Sequence, residues 1–262
     1  MMISYAQNFE DVMLWRALRH VKNGFYIDVG AWSPDLDSVT RHFYENGWSG
    51  INVEPNPELH TQYLTRRERD INLKVAISDT IGETDMYLCT NSGLSSLDKD
   101  IVEEHKRIGW DTIPSKTLVT TLKEVCQEHC QNKDIHFLKI DIEGYEKHAL
   151  LGNDWSLFRP WIVVVEAMHP MSQLENHEEW EYILLEADYT FAYADGLSRF
   201  YVAKEHSELL EAFKYPPNVF DEFVLVNQVN AEQNAKEANA RAEQAEQNAK
   251  EANARAEQAE QN

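Results

Sequence analysis

Hydrophobic spacing divides this chain into an alternating body and a repetitive tail. Over residues 4–21 the apolar positions Phe9, Val12, Met13, Leu14, Ala17, Leu18 and Val21 recur at intervals of three and four, which predicts an amphipathic helix ahead of the first strand. Short apolar runs at 25–29, 51–53 and 73–77 read as buried strands. Helix-compatible segments at 38–46 and 57–69 separate them, with Pro57 suited to a first helical turn. Two further runs, 136–140 and 161–165, predict strands around a helix at 145–151. This alternation implies a parallel sheet covered on both faces, a doubly wound α/β domain. A helix is expected near 173–187, then strands at 190–194 and 199–203 that turn at Asp195-Gly196.

From Ala231 the fourteen-residue block AEQNAKEANARAEQ occurs twice and starts a third time. Ala231, Ala235, Ala238, Ala242, Ala245, Ala249, Ala252, Ala256 and Ala259 alternate in spacing between four and three, the a/d seam of a coiled coil. Glu232 and Glu246 then fall at e, and Arg241 and Arg255 at g. Alanine buries little apolar area, so the seam favours close but weak association, and a solvated single helix is the competing reading. The repeat breaks off within a unit, which points to a longer array. The organisation expected is a catalytic domain over 1–226 and a heptad-repeat coiled-coil tail over 227–262.

Composition narrows the function. A length of 262 residues, less the tail, supports a single core. The formal charge of -21 repels phosphate backbones, which excludes nucleic acid as partner and favours a small-molecule or oligosaccharide acceptor. Cys89, Cys126 and Cys130 are too few for a disulfide framework; although Cys126 and Cys130 could share a helix face, no second pair gives zinc spacing. With no secretory signal or transmembrane run, a cytoplasmic location is expected.

The chemistry gathers at strand ends. In GFYIDVGAWSP, Asp28 and Gly30 end the first strand at the carboxyl edge, where a doubly wound sheet binds nucleotide-like ligands, and both are expected to line the cleft. A dinucleotide fingerprint needs further glycines, but Trp32, Ser33 and Pro34 stand there, which disfavours a nicotinamide-dependent oxidoreductase. Glu54, in VEPNP, ends the second strand, where a carboxylate can accept both ribose hydroxyls. Asn72 and residues 76–78 offer a wall for adenine. Asp141 and Glu166 end the fourth and fifth strands and should converge on the same edge. They could supply a general base or hold a divalent cation such as magnesium. Glu143 is an alternative second acid, His169 an alternative base, and Lys139 and Glu146 are candidates for pairing. Trp110 could shape an acceptor pocket.

The blocks SYAQNFED, IDVGA, GWSGINVEPNP, LKVAISD, FLKIDIEGYE and IVVVEA, in this order between about Ser4 and Glu166, resemble those of the FkbM family of methyltransferases. The resemblance implies a class I methyltransferase (Rossmann-like) fold, S-adenosylmethionine as cofactor, and O-methylation, often of a sugar hydroxyl such as one in a bacterial surface polysaccharide. It assigns Asp28, Gly30 and Ala31 to the cofactor loop, Glu54 with Pro55 to the ribose end, Ala76 and Ile77 to adenine, and Ser4 and Gln7 to the methionine end. Asp141 stands between cofactor and acceptor, with Glu143, Glu166 and His169 as further catalytic candidates. By the same analogy Ser95, Ser96 and Leu97 form an active-site loop. The tail would join homo-oligomers or partner enzymes, and the remaining alternative is a non-catalytic scaffold tethered through it.

Overall fold

The computed structural model describes residues 1–89, 95–97, 99–107, 109–169 and 172–260. In chain order the elements are β1 (Met2–Ser4), α1 (Glu10–Leu18), β2 (Phe25–Val29), α2 (Arg41–Glu45), β3 (Ser49–Val53), α3 (Pro57–Arg66), β4 (Ile71–Leu73), β5 (Ala76–Ile77) and β6 (Gly82–Cys89). There follow α4 (Lys99–Arg107), β7 (Thr112–Thr120), α5 (Leu122–His129), β8 (Phe137–Ile140), α6 (Glu146–Leu151), β9 (Ile162–Glu166) and α7 (Glu181–Glu186). The last are β10 (Tyr189–Ala194), β11 (Ser198–Ala203), β12 (Phe223–Leu225) and α8 (Val226–Glu260). Residues Tyr5–Asp221 form one compact unit; Met1–Ser4 and Glu222–Asn262 form another, in which β1 pairs in parallel with β12.

The main sheet has the order β10-β11-β9-β8-β2-β3-β4, parallel except for β11, which runs against both neighbours. Successive residues of each strand face opposite layers, as a pleated strand requires. Ile27, Val29, Leu138, Ile140, Val163 and Val165 pack with Leu122, Val125, Leu150 and Leu184 from α5, α6 and α7. Tyr26, Phe137, Ile162 and Val164 pack with Met13, Leu14, Phe43 and Phe213 on the other face. Both faces are therefore covered, which explains why the strands read as continuous apolar runs. On the second face, toward the carboxyl edge, a polar row replaces the apolar one: Asn72, Asn52, Asp28 and Lys139 are successive register partners across β4, β3, β2 and β8.

Local chemistry redraws several boundaries. The helix expected over 4–21 is confined to Glu10–Leu18, because Phe9 takes a left-handed φ of 66° and the buried Asp11 carboxylate accepts the Tyr5 and Ala6 amides at 2.7 and 3.3 Å. The run at 73–77 splits into β4 and β5, which belong to different sheets. The helix expected near 173–187 is a single 3-10 turn, His177–Glu179, followed by α7. At α3 the expectation holds: Asn56 caps the Glu58 amide at 2.9 Å and Pro57 opens the first turn. The hairpin at Asp195-Gly196 is present, with the Asp195 carboxylate accepting the Leu197 and Ser198 amides at 2.8 and 2.6 Å. Strands β6 and β7, paired antiparallel, build a second sheet with β5 that the apolar pattern did not signal. The three cysteines are buried free thiols.

The tail forms one helix, α8, stabilised along its surface by pairs four residues apart such as Lys250–Glu246 at 2.6 Å and Gln244–Asn248 at 2.9 Å. Its described side chains from Ala231 to Glu251 are exposed on every face. The seam alanines Ala252, Ala256 and Ala259 fall outside the described side chains.

Phe137 lies fully buried with ring centroids 4.8 Å from Phe43 and 5.5 Å from Tyr26. Truncation to Ala is expected to lower unfolding stability by about 3–5 kcal/mol through lost burial and a residual cavity, measured as a shift in urea midpoint at unchanged slope.

Candidate active site

The chain order of the parallel strands reverses direction between β2 and β8, so their carboxyl ends open a crevice of the kind that holds ligands in open α/β sheets. A cavity of about 570 Å³ occupies it, well within the range of small-molecule sites, roughly 300–1,000 Å³.

The loop after β2 is held closely. Gly30 has φ 75°, and a side chain there would run into the Asp141 carbonyl oxygen, so only glycine fits. The Gly30 and Ala31 amides both reach the Val53 carbonyl at 3.1 Å, and the Tyr63 hydroxyl donates to the Ala31 carbonyl at 2.6 Å. Trp32, at a position where a dinucleotide loop would carry glycine, adopts φ 48° and donates its amide to Glu54 Oε2 at 2.9 Å. Asn56 donates to Glu54 Oε1 at 2.8 Å. Each Glu54 oxygen thus holds one N–H and keeps a lone pair for a hydroxyl. Burial pushes the Glu54 carboxyl up to about 7 against the pull of those two amides.

Asp28 does not line the cavity. Alternation along β2 turns its side chain to the opposite face from Ile27 and Val29, where it is buried and takes the Thr40 hydroxyl at 3.2 Å. It acts toward the cleft through its register partner Lys139, whose ammonium lies 3.5 Å from Asp28 Oδ1 and 3.2 Å from Asp141 Oδ2 and donates to the Gly30 carbonyl at 2.9 Å. Lys139 therefore pairs with Asp28 and Asp141 and not with Glu146. Glu146 instead accepts the Ile142 and Gly144 amides at 3.0 and 3.2 Å, and burial raises it to about 7.

At the other end of the crevice, Asp141, Glu143 and Glu166 bring ligand oxygens within 4.8 Å of one another. Glu143 sits at φ 53° in the turn that Glu146 braces, and the Ser96 hydroxyl donates to its carbonyl at 2.9 Å. Burial, then the charges of Asp141 and Glu146, push the Glu143 carboxyl up to about 8; burial and the same neighbouring acids raise Glu166. Glu166 Oε2 is buried and accepts no hydrogen bond among the described residues.

Of the residues singled out from sequence, Gln7, Gly30, Ala31, Glu54, Pro55, Ala76, Ile77, Ser95, Leu97, Lys139, Asp141, Glu143, Glu166 and His169 all line this cavity. Ser4 lies on β1 in the terminal unit, paired with Leu225. Asn72 is turned away, its amide donating to the carbonyls of Tyr63, Arg67 and Asp70. Trp110 is not among the lining residues, and neither is Ser96, whose hydroxyl is spent on Glu143. Asp37, Leu59, Val75, Met86, Met168 and Leu197 complete walls that sequence reasoning missed. The N-terminal block owes its pattern to anchoring: Glu10 accepts the Asn8 amide at 2.9 Å and Asp11 that of Tyr5, on either side of Gln7.

Residues 28–191 match the family model described as the methyltransferase FkbM domain, well over half of the chain. No curated protein matches it. No described helix is long and apolar enough to cross a membrane.

Buried acids set the pH dependence of stability. Glu10 is raised to about 8 by burial and the nearby Asp195, and Glu54 and Glu146 to about 7, from an ordinary value of 4.5. The native state then holds protons that the unfolded chain releases, so unfolding free energy falls as pH climbs from about 4.5 to about 8. Urea denaturation at pH 5.5 and 8.5 is expected to show the higher midpoint on the acid side, with Glu10→Gln flattening the difference.

Proposed function

Because the chain belongs to the FkbM methyltransferase family, we propose that it moves a methyl group from S-adenosylmethionine to a hydroxyl oxygen, with a sugar of a bacterial surface polysaccharide or related glycan as acceptor. The observation that carries the donor assignment is Glu54, which lines the cavity and whose two oxygens each hold one backbone amide, with acceptor capacity left on both. That is the acceptor pattern a ribose diol needs. Gly30 and Ala31 provide the close backbone approach beside it, and Val75, Ala76 and Ile77 the apolar wall suited to a purine.

When bound, the donor supplies an electrophilic methyl group on a sulfonium. The residues of this chain orient the acceptor and move its proton. The Lys139 ammonium fixes Asp141 against the Gly30 loop, and Asp141, Glu143 and Glu166 surround the space where an acceptor hydroxyl meets the cofactor end. One of these carboxylates takes the hydroxyl proton as the new carbon–oxygen bond forms, with His169 at the cavity wall as the alternative base. A second reading uses the same trio as hard oxygen ligands for a divalent cation such as magnesium, favoured by ligand oxygens that lie within 4.8 Å. We assign the tail to assembly, by an alanine-seamed coiled coil with a second copy or a partner enzyme, in a cytoplasmic setting.

Calorimetric titration with S-adenosylhomocysteine tests the donor site. Micromolar-range binding by the wild type is expected, weakened about a hundred-fold or more in Glu54→Ala, since hydrogen bonds to a charged group contribute about 1.5–3 kcal/mol each. Affinity should also fall as pH drops through about 7, where Glu54 gains a proton and loses acceptor capacity. Absence of binding by the wild type would discard the donor and favour a non-catalytic scaffold. With binding established, an acceptor screen of oligosaccharides, run with magnesium and with chelator, separates the general-base and metal readings.

A further inference from the structure

The carboxylates that line this cavity outnumber its cations, and they crowd together at one end. Among the described residues that line it, Lys139 is the one permanent cation, and its ammonium is already committed to the Gly30 carbonyl, Asp28 and Asp141. Asp141, Glu143 and Glu166 crowd their oxygens within 4.8 Å with no further positive charge beside them. Glu166 Oε2, on the cavity wall, is buried and without a hydrogen-bond partner, so beyond the Lys139 ammonium that Asp141 shares with Asp28 the trio has no counter-charge among the described residues. Such an arrangement is costly in its ionised form, so Glu143 and Glu166 hold on to protons until something positive enters that can take their place.

The geometry gives that charge a place. Glu54, Gly30, Asp141 and Glu166 follow one another along the carboxyl edge in the order of their strands, β3, β2, β8 and β9. A ligand anchored by a ribose at Glu54 therefore extends over Gly30 toward the acidic end. We propose that Asp141, Glu143 and Glu166 form a pole that reads the sulfonium charge, so that the cavity holds the methyl donor and releases its uncharged thioether product. The inference rests on the donor assignment above and adds a specificity role for the acids. Methyl transfer removes one positive charge from the ligand: the sulfur–methyl bond breaks, its electron pair stays on sulfur, and the hydroxyl proton passes to a carboxylate. The pole then faces a neutral sulfur, and product inhibition is relieved by the same residues that receive the proton.

The test is calorimetry on the full chain in chelator-containing buffer, with three ligands: S-adenosylmethionine, S-adenosylhomocysteine, and sinefungin, which carries an ammonium in place of the methyl sulfonium. Both cationic ligands are expected to bind about ten-fold or more tightly than S-adenosylhomocysteine, the scale of one unscreened charge at a few ångströms in a partly wet site. Glu143→Gln and Glu166→Gln, each checked for an unchanged thermal midpoint, should bring the ratio toward one while leaving S-adenosylhomocysteine affinity near wild type. Equal affinities in the wild type, or an unchanged ratio in both variants, would overturn the proposal and leave the donor site standing. Failure of all three ligands to bind would remove the donor assignment and this inference together. Magnesium that binds the ligand-free chain and erases the ratio would give the pole to a metal ion and overturn the charge-reading role.

Discussion

A single buried ammonium organises the carboxyl edge of the sheet. Lys139 stands opposite Asp28 in the β2–β8 register and reaches the Gly30 carbonyl and the Asp141 carboxylate from one position. Withdrawing a lysine from water is tolerable only when its charge is met, and here the ammonium donates to the Gly30 carbonyl and has two carboxylates within 3.5 Å. Its neighbours raise its proton affinity well above that of free lysine despite burial, chiefly through Asp141 and then Asp28, so it remains charged. Removing it would leave the buried Asp28 carboxylate without this ammonium and with the Thr40 hydroxyl as its hydrogen-bond donor. The loop after β2, the buried acid of the IDVGA block and the acid of the IDIEG block are thus one electrostatic unit, which gives a physical reason for the sequence pattern at both strand ends.

What the sequence could disclose depended on how far each signal was local. The parallel strands were legible because burial on both faces makes them mostly apolar, and Glu54, Asp141 and Glu166 were legible because strand ends of a doubly wound sheet converge. Asp28 was misplaced although the needed signal was present: with Ile27 and Val29 facing one layer, period two sends Asp28 to the other. The helix over 4–21 was overdrawn because its spacing was helical, while the decisive event, Asp11 capturing the Tyr5 and Ala6 amides, leaves no periodic trace. The β6–β7 pair was invisible for a related reason. Its strands bury few positions, Met86 and Cys89 on one and Thr117 and Val119 on the other, too sparse for an apolar run.

Trp32 stands where a dinucleotide loop would carry glycine, and the loop still takes the left-handed turn there. A left-handed residue at this point directs its amide to Glu54, and the neighbouring Asn56 amide completes the pair. For a bulky residue that conformation costs of order 1–3 kcal/mol. The loop is fastened at Gly30, Ala31 and Tyr63, which together hold it in place. The strain then serves to fix the carboxylate before any ligand arrives, the kind of preorganisation that lowers the entropy lost on binding.

The distribution of acids carries the same logic from site to whole chain. The formal charge of -21 counts every acid as ionised, but Glu54, Glu143, Glu146 and Glu166 lie within the body, where desolvation raises each toward neutrality. Two of them, Glu54 and Glu146, are stabilised by paired backbone amides and are structurally complete. Glu143 and Glu166 lack such amides among the hydrogen bonds described, and Asp141 shares a single ammonium with Asp28. Glu146 braces the turn before α6, Glu54 both holds its loop and lines the cavity, and Glu143 and Glu166 line the cavity without such amides. A group whose charge is held back by its surroundings is one whose charge can be called out by a ligand or by the proton of a reacting hydroxyl, and in this fold those groups stand together at the ends of β8 and β9.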